Sequence, residues 1–206
     1  MRFPVAEGSP LGAECPLCGA PTEWSDVAWR TQGAPPPRSP LPGPPLEALL
    51  DNVRSLRNVG AIFRTADGAG VRHLHLGGFT PTPEHPKLAK TALGAERSVG
   101  WTRHLDPAAA AATLVQGGAR LWALEGGEAA EDLFEIEALD PSRVIVLVLG
   151  HEVSGVDPRV AEHCERTICI PMAGHKGSLN VSTAFGVAAF TLRHALRRPT
   201  PATPEA

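Results

Sequence analysis

Residues 172–180 combine small and polar side chains in a way that suits the binding of a small molecule. An apolar strand is predicted before this loop, and Pro171 ends the strand because it has no N–H to donate. Glycines within the loop let the backbone turn tightly or approach a ligand closely. Ser178 and Asn180 are good N-cap residues for an apolar helix predicted over 181–196. A strand, a loop of small residues and a helix N-terminus together form a common ligand site.

Two further glycine-bearing loops follow apolar strands, at Glu125-Gly-Gly127 and at Gly150-His-Glu152. Ligands in open α/β sheets bind outside the carboxyl ends of the strands, so the three loops are expected to converge on one pocket. A carboxylate such as Glu152, placed after a buried strand, needs a cationic or N–H partner, and Arg64 is one candidate. A guanidinium stays protonated below about pH 12. Arg64 is therefore better suited to binding phosphate and stabilising negative charge on oxygen than to accepting a proton.

Strands and helices alternate along the chain from residue 46 onward. The run of Val, Ile and Leu at 143–149 is typical of a central parallel strand that is covered on both faces. The alternation predicts an α/β fold, with a parallel sheet and helices on both faces. Strands are expected over 46–53, 73–76, 99–104, 119–124, 143–149 and 166–170, and helices over 58–70, 86–94, 107–116, 157–164 and 181–196.

The first 45 residues differ from the rest, since they are rich in proline and glycine and show no sustained hydrophobic period. Seven prolines between Ala34 and Pro45 are typical of a stiff, extended linker. We expect the chain to divide into four parts: an N-terminal segment over 1–30, a Pro-rich linker over 31–45, a catalytic domain over 46–198 and a frayed tail over 199–206.

Cys15 and Cys18 have the spacing of half a zinc knuckle, in which two thiolates grip one tetrahedral Zn²⁺. The site would need two more ligands, and the chain has no other Cys or His before His73. A second copy of the chain is one source of those ligands. Cys164 and Cys169 lie in or near an apolar strand and fit buried structural cysteines instead.

The composition is that of a globular protein with an ordinary core. The chain has 206 residues, of which 43% are apolar, and a formal net charge of −3. Mild acidity argues against a dedicated polyanion binder, although a local patch can still supply phosphate contacts. No apolar run approaches the roughly 20 residues that span a bilayer, and the first residues lack the apolar core of a signal peptide. We therefore expect a cytoplasmic protein with no membrane partner.

Three segments carry a specific resemblance, in order and in spacing. The sequence I-P-M-x-G-x-x-x-S-L-N-V-S, which begins at Ile170, resembles the third motif of the SpoU/TrmH-type methyltransferases of the SPOUT superfamily. Asn58 to Ala66 is similar to the first motif of that family, and Val146 to Gly155 is similar to the second. The resemblance covers residues 46–198. It implies a deep C-terminal trefoil knot, a homodimer, and transfer of a methyl group from S-adenosylmethionine to a ribose 2′-OH of tRNA or rRNA.

The resemblance also implies roles for individual residues. The proposed catalytic residues are Asn58, Arg64, Glu152, Ser178 and Asn180. The residues expected to hold S-adenosylmethionine are Leu124, Gly126, Gly150, Ile170, Met172 and Leu179. The residues expected to contact RNA are Arg54, Arg57 and Arg64.

Several alternatives stay open at this point. Helix capping competes with a catalytic role at Asn58, Ser178 and Asn180. Solvated surface competes with RNA binding at the arginines, and it is the simpler interpretation for the basic group near the C-terminus, which is Arg193, Arg197 and Arg198. The apolar stripe of the final helix fits either a dimer interface or the core of one subunit. At the level of function, the alternatives are a catalytically silent RNA-binding protein on the same fold and a SPOUT enzyme that methylates a base.

Overall fold

The computed structural model describes most of the chain, namely residues 13–15, 18–23, 45–136, 139 and 142–195. The chain divides into two units, Met1–Ser39 and Pro40–Ala206. The predicted linker at 31–45, except for its last residue, and the predicted tail at 199–206 lie outside the described residues. The sheet and helices that follow all belong to the second unit.

One parallel sheet of seven strands forms the centre of this unit, in the order β3-β2-β1-β6-β4-β7-β5. The strand β6 is buried at all five positions, as the Val/Ile/Leu run predicted. Every predicted strand is present within a few residues of its expected bounds. The strands are β1 (Leu46–Asp51), β2 (Val71–Gly77), β3 (Gly100–His104), β4 (Arg120–Leu124), β5 (Glu131–Asp132), β6 (Ile145–Leu149) and β7 (Arg166–Cys169).

Helices cover both faces of the sheet, which confirms the predicted layers. One core cluster joins α1, α2 and α5 to the sheet face on which Leu46 and Leu50 of β1 lie. The other joins α3 and α4 to the opposite face, which carries Leu49. The helices are α1 (Leu56–Ala69), α2 (Ala89–Ala92), α3 (Pro107–Gln116), α4 (Pro158–Ala161) and α5 (Val181–Ala195).

The helix α1 has well-formed ends. Its N-cap is Ser55, whose hydroxyl accepts a hydrogen bond from the backbone N–H of Asn58 at 3.4 Å. Asn58 is therefore not the N-cap, and its side chain is available for another contact. At the other end Gly70 adopts a left-handed conformation, with φ at 68°. Gly60 allows α2 to pack closely, because a Cβ there would overlap the side chain of Thr91.

A buried arginine ties the C-terminus of α1 to α5. The guanidinium of Arg193 donates to the carbonyl oxygens of Ala69 at 3.0 Å and Gly70 at 2.7 Å. Only 5% of Arg193 is exposed. The prediction that Arg193 belongs to a solvated basic group is therefore wrong, since its charge instead satisfies helix-end carbonyls that have no intrahelical partner.

Two predicted helices are much shorter than expected. The segment 86–94 contains only α2, because Leu93 and Gly94 take left-handed conformations that end the helix. The segment 157–164 contains only α4, which Asp157 caps by accepting from the backbone N–H of Arg159. Among the described residues, no helix has both the length and the apolar character needed to span a membrane.

Candidate functional site

A cavity of about 420 Å³ lies at the carboxyl ends of β4, β6 and β7. The three glycine-bearing loops converge on it, as the order of strands and loops predicted. It is lined by all six residues that were expected to hold a cofactor, which are Leu124, Gly126, Gly150, Ile170, Met172 and Leu179.

Two of these glycines shape the cavity in different ways. A Cβ on Gly150 would overlap the backbone of Gly155 and Val156, so only glycine lets the hairpin His151–Gly155 fold back on the end of β6. A Cβ on Gly126 would meet no atom within 4 Å and would enter open space. Gly150 is therefore required by the fold, whereas Gly126 leaves room for a ligand.

A chain of hydrogen bonds joins the three loops beside this cavity. The carboxylate of Glu152 accepts from the backbone N–H of Arg54 at 3.2 Å and of Ser55 at 3.1 Å. It also accepts from Asn58 Nδ2 at 3.1 Å. Asn58 Oδ1 in turn accepts from Asn180 Nδ2 at 3.1 Å. The start of α1, the loop after β6 and the start of α5 are thus held together by three side chains.

These contacts determine the charge state of Glu152. Burial raises the pKa of this carboxyl, but hydrogen bonds from backbone N–H groups, including those of Arg54 and Ser55, and from the Asn58 amide outweigh it. The net result is a pKa below the ordinary value for glutamate. A cation or an N–H group was predicted as the partner of this carboxylate, with Arg64 as one candidate. N–H groups fill that role, and Arg64 forms neither a hydrogen bond nor an ion pair with Glu152.

Asn180 has two functions at once. Its Oδ1 accepts from the backbone N–H of Ser182 at 3.0 Å and from the Ser182 hydroxyl at 2.7 Å, which caps the start of α5. Its Nδ2 holds Asn58, so capping and site formation are compatible. Ser178 lines the cavity and is exposed, and it lies too far upstream to be the cap.

The arginines expected to contact RNA are all exposed. Arg54 lies closest to the site, since its backbone bonds Glu152 and it lines a second cavity. Arg64 lies on α1 and lines neither cavity. Within the described part of the chain, Arg64 makes no hydrogen bond or ion pair.

The second cavity, of about 510 Å³, lies at the carboxyl ends of β1 and β2. The buried carboxylate of Asp51 accepts from Asn52 Nδ2 at 2.8 Å and from the backbone N–H of Asp157 at 2.7 Å. Burial raises the pKa of Asp51 above its ordinary value. Asn52 Oδ1 accepts from the backbone N–H of Phe79 at 3.1 Å. This cavity was not predicted from the sequence, although the polar pair Asp51-Asn52 at the end of a buried strand could have indicated a ligand site there.

Residues 45–190 match the model of the SpoU rRNA Methylase family. The chain belongs to this family. It is 36% identical over 160 residues to the 23S rRNA (guanosine-2'-O-)-methyltransferase RlmB of Pseudomonas aeruginosa, with 77% of this chain and 61% of the relative covered. The chain spans about three fifths of the length of the curated relatives it matches, with shares from 58% to 63%.

Solved structures of similar fold include chains associated with two kinds of RNA. An AdoMet-bound rRNA methyltransferase from Sinorhizobium meliloti is 25% identical, with a TM-score of 0.65, and the match covers 77% of this chain and 59% of that one. A chain solved for insight into the 2-OH methylation of C/U34 on tRNA is 30% identical, with a TM-score of 0.64, and the match covers 73% of this chain and 95% of that one.

In this member of the SpoU family, the cysteine pair lies in the first unit, outside the matched residues. Cys15 and Cys18 lie between Glu14 and Pro21, which form an antiparallel bridge, and the backbone N–H of Gly19 donates to the carbonyl of Cys15 at 2.8 Å. Among the described residues, no three His, Cys, Asp or Glu side chains are grouped to hold a metal ion. Zinc stays a prediction that requires ligands beyond this pair.

Proposed function

We propose that the protein is an S-adenosylmethionine-dependent methyltransferase that modifies a ribose 2′-OH of tRNA or rRNA. The observation that supports this most strongly is the convergence of the three motif loops on one cavity, with Glu152, Asn58 and Asn180 bonded to one another beside it. Membership of the SpoU family supports the same activity.

The residues around the first cavity fit S-adenosylmethionine. Its volume of about 420 Å³ lies within the range of roughly 300–1,000 Å³ common for small-molecule sites. Leu124 and Ile170 supply apolar walls, and Met172 and Leu179 are each 37% exposed, as side chains awaiting an apolar contact would be. Bound there, S-adenosylmethionine supplies an electrophilic methyl group to the ribose oxygen. Gly126 leaves room at the wall for the ligand.

Glu152 acts as a positioning residue in this proposal. Three N–H donors from the Arg54, Ser55 and Asn58 positions already occupy its carboxylate, and its lowered pKa makes it a weak base. Its role is to fix the start of α1 against the loop after β6. Ser178, which is exposed and lines the cavity, is the hydroxyl in this set that can contact substrate directly.

Arg64 is assigned to the RNA, where it binds a phosphate next to the reacting ribose and stabilises negative charge that develops on the 2′-oxygen. Because Arg64 lines neither cavity of its own chain, a homodimer is the arrangement we propose to complete the site. In that arrangement the guanidinium faces the cavity of a second copy. The exposed ring of Phe190 on α5, 53% accessible, supports an interface along that helix.

The C-terminal trefoil knot and the cytoplasmic location belong to the same proposal. Family membership is what supports the knot. The sequence-based expectation of a cytoplasmic enzyme agrees with an RNA substrate.

The test is methyl transfer from labelled S-adenosylmethionine to unmodified tRNA and, separately, unmodified rRNA. Arg64→Ala is run beside the wild type, and alkali-resistant dinucleotides are scored, because a methylated 2′-oxygen blocks alkaline cleavage at that phosphate. Alkali-resistant label that is lost in Arg64→Ala supports the proposal and names the RNA class. Label in alkali-sensitive nucleotides identifies a base methyltransferase instead. RNA binding without S-adenosylmethionine binding identifies a catalytically silent RNA-binding protein.

The dimer is tested by mixing two inactive variants. Arg64→Ala and Ser178→Ala each damage one part of the site. If each site takes Arg64 of the partner subunit, mixed dimers contain one intact site and recover part of the activity. If activity does not return although subunits exchange, the site is complete within one chain.

A further inference from the structure

The cavity of about 510 Å³ beside the first one has no role in the chemistry described so far. The two cavities share a wall, because His151, Gly155 and Val156 line both. A ligand in the second cavity is therefore separated from the first by one hairpin of the chain. Two cavities separated by a single shared wall suit two parts of one extended substrate.

The second cavity lies at the point where the order of strands reverses. β1 is followed by α1 on one face of the sheet, whereas its neighbour β6 is followed by α4 on the other face. The loops that leave these adjacent strands therefore separate and open a crevice. Ligands in open α/β sheets bind at such switch points.

The floor of this cavity is built and rigid. Asp51, only 1% exposed, joins Asn52 to the backbone N–H of Asp157. Asn52 has a positive φ of 56°, and its Oδ1 accepts from the backbone N–H of Phe79. A Cβ on Gly78 would overlap the Asn52 side chain, so the turn before Phe79 depends on a glycine. The backbone N–H of Phe79 is thus held by Asn52, whose side chain is held in turn by Asp51.

Phe79 itself is presented to solvent, with 83% of its surface exposed. An aromatic ring held in this way beside a crevice is suited to stacking on a nucleobase. His151 adds a directional donor. Its Nδ1 accepts from the backbone N–H groups of Val153 at 3.1 Å and Ser154 at 3.3 Å, so the neutral ring carries its proton on Nε2. That N–H suits a carbonyl oxygen or ring nitrogen of a base.

We propose that the second cavity is a nucleobase subsite, which binds a base of the substrate RNA within one nucleotide of the methylated ribose. Phe79 stacks on this base, and His151 Nε2 donates a hydrogen bond to its edge. The inference rests on the proposed function for the identity of the RNA, but base binding itself is measured separately from methyl transfer.

The direct test places a fluorescent indole at the subsite with Phe79→Trp. The matched control is Leu105→Trp, because Leu105 is equally exposed, at 83%, and lines neither cavity. The probes are the four ribonucleoside 5′-monophosphates. We expect saturable quenching of the indole introduced at position 79 and only linear, collisional quenching at position 105. Linear quenching at both positions overturns the subsite.

The second test uses the RNA that the wild type methylates. Phe79→Ala is expected to raise the KM for RNA about tenfold, which corresponds to about 1.4 kcal/mol of lost stacking, with kcat and the Kd for S-adenosylmethionine unchanged. Phe79→Tyr should restore the KM, and Leu105→Ala should leave it unaltered. An unchanged KM in Phe79→Ala, or an equal increase in Leu105→Ala, refutes the proposal. If the wild type methylates no RNA, the proposed function fails, while the quenching experiment still decides whether the cavity binds bases.

Discussion

Replacing Asn58 with aspartate is a sharp test of the hydrogen-bond chain that joins the three motif loops. Asn58 donates to Glu152 and accepts from Asn180. Asn58→Asp keeps the size of the side chain and the acceptor for Asn180, but it replaces the donor to Glu152 with a second negative oxygen. Asn58→Ala is the matched control, since it removes both bonds and adds no charge.

The size of the effect follows from the 3.1 Å contact between Asn58 Nδ2 and Glu152 Oε1. A hydrogen bond to a charged group contributes about 1.5–3 kcal/mol, and exposure of Glu152 to water places this one at or below the lower end. Two unit charges at that separation repel by about 1.3 kcal/mol at the dielectric constant of water. An acidic residue in the first turn of α1 offsets about 0.3–1 kcal/mol of this loss, because it interacts favourably with the helix dipole. The net loss is about 2 kcal/mol, or roughly 30-fold in kcat/KM.

The assay is kcat/KM for methyl transfer as a function of pH, with urea unfolding of each variant as a control that does not depend on activity. Two adjacent carboxylates raise the pKa of one of them, so a proton bridges the pair as the pH falls. The defect of Asn58→Asp should therefore shrink between pH 8 and about pH 5, whereas the defect of Asn58→Ala, which adds no ionisable group, should stay constant. A defect of Asn58→Asp that stays the same between pH 8 and about pH 5 refutes the role assigned to this contact.

Three further predictions concern other contacts. Gly150→Ala should lower the melting temperature of the domain, because the added methyl group overlaps the backbone. Gly126→Ala should leave the melting temperature unchanged, because its methyl group overlaps nothing, but it should weaken the binding of S-adenosylmethionine measured by calorimetry. Arg193→Ala should lower the free energy of unfolding in urea by about 3 kcal/mol through loss of two charged hydrogen bonds, and an unchanged value contradicts this. Burial and the charge of neighbouring histidines lower the pKa of His104, so the free energy of unfolding should fall as the pH drops below about 6.5, and His104→Gln should make this fall less steep. An equally steep fall in His104→Gln contradicts the prediction.

The sheet and its layers could be predicted from the sequence because the strands are apolar runs with clear boundaries. The Val/Ile/Leu run of β6 specified a central buried strand, and the structure confirms it. β5 could not be predicted, since two residues, Glu131 and Asp132, carry no periodic pattern. The helices predicted over 86–94 and 157–164 are much shorter in the structure. In α2 the left-handed conformations of Leu93 and Gly94 end the helix, and such backbone angles are set by packing around them.

The lining of the first cavity could be predicted because the motif loops follow the strands whose ends form it. The partners of Glu152 could not, since they lie 94 to 98 residues earlier and meet it only when β1 and β6 pair. The second cavity escaped prediction for a related reason. Its floor is assembled from Asp51 at the end of β1, Phe79 after β2 and Asp157 before α4, which are far apart in the sequence.

The hairpin His151–Gly155 is a structural element that both cavities share. It forms the wall between them, and Glu152 within it holds the start of α1. The position of Gly150, where only glycine admits the folded-back hairpin, makes the formation of this shared wall a property of the fold rather than of either ligand.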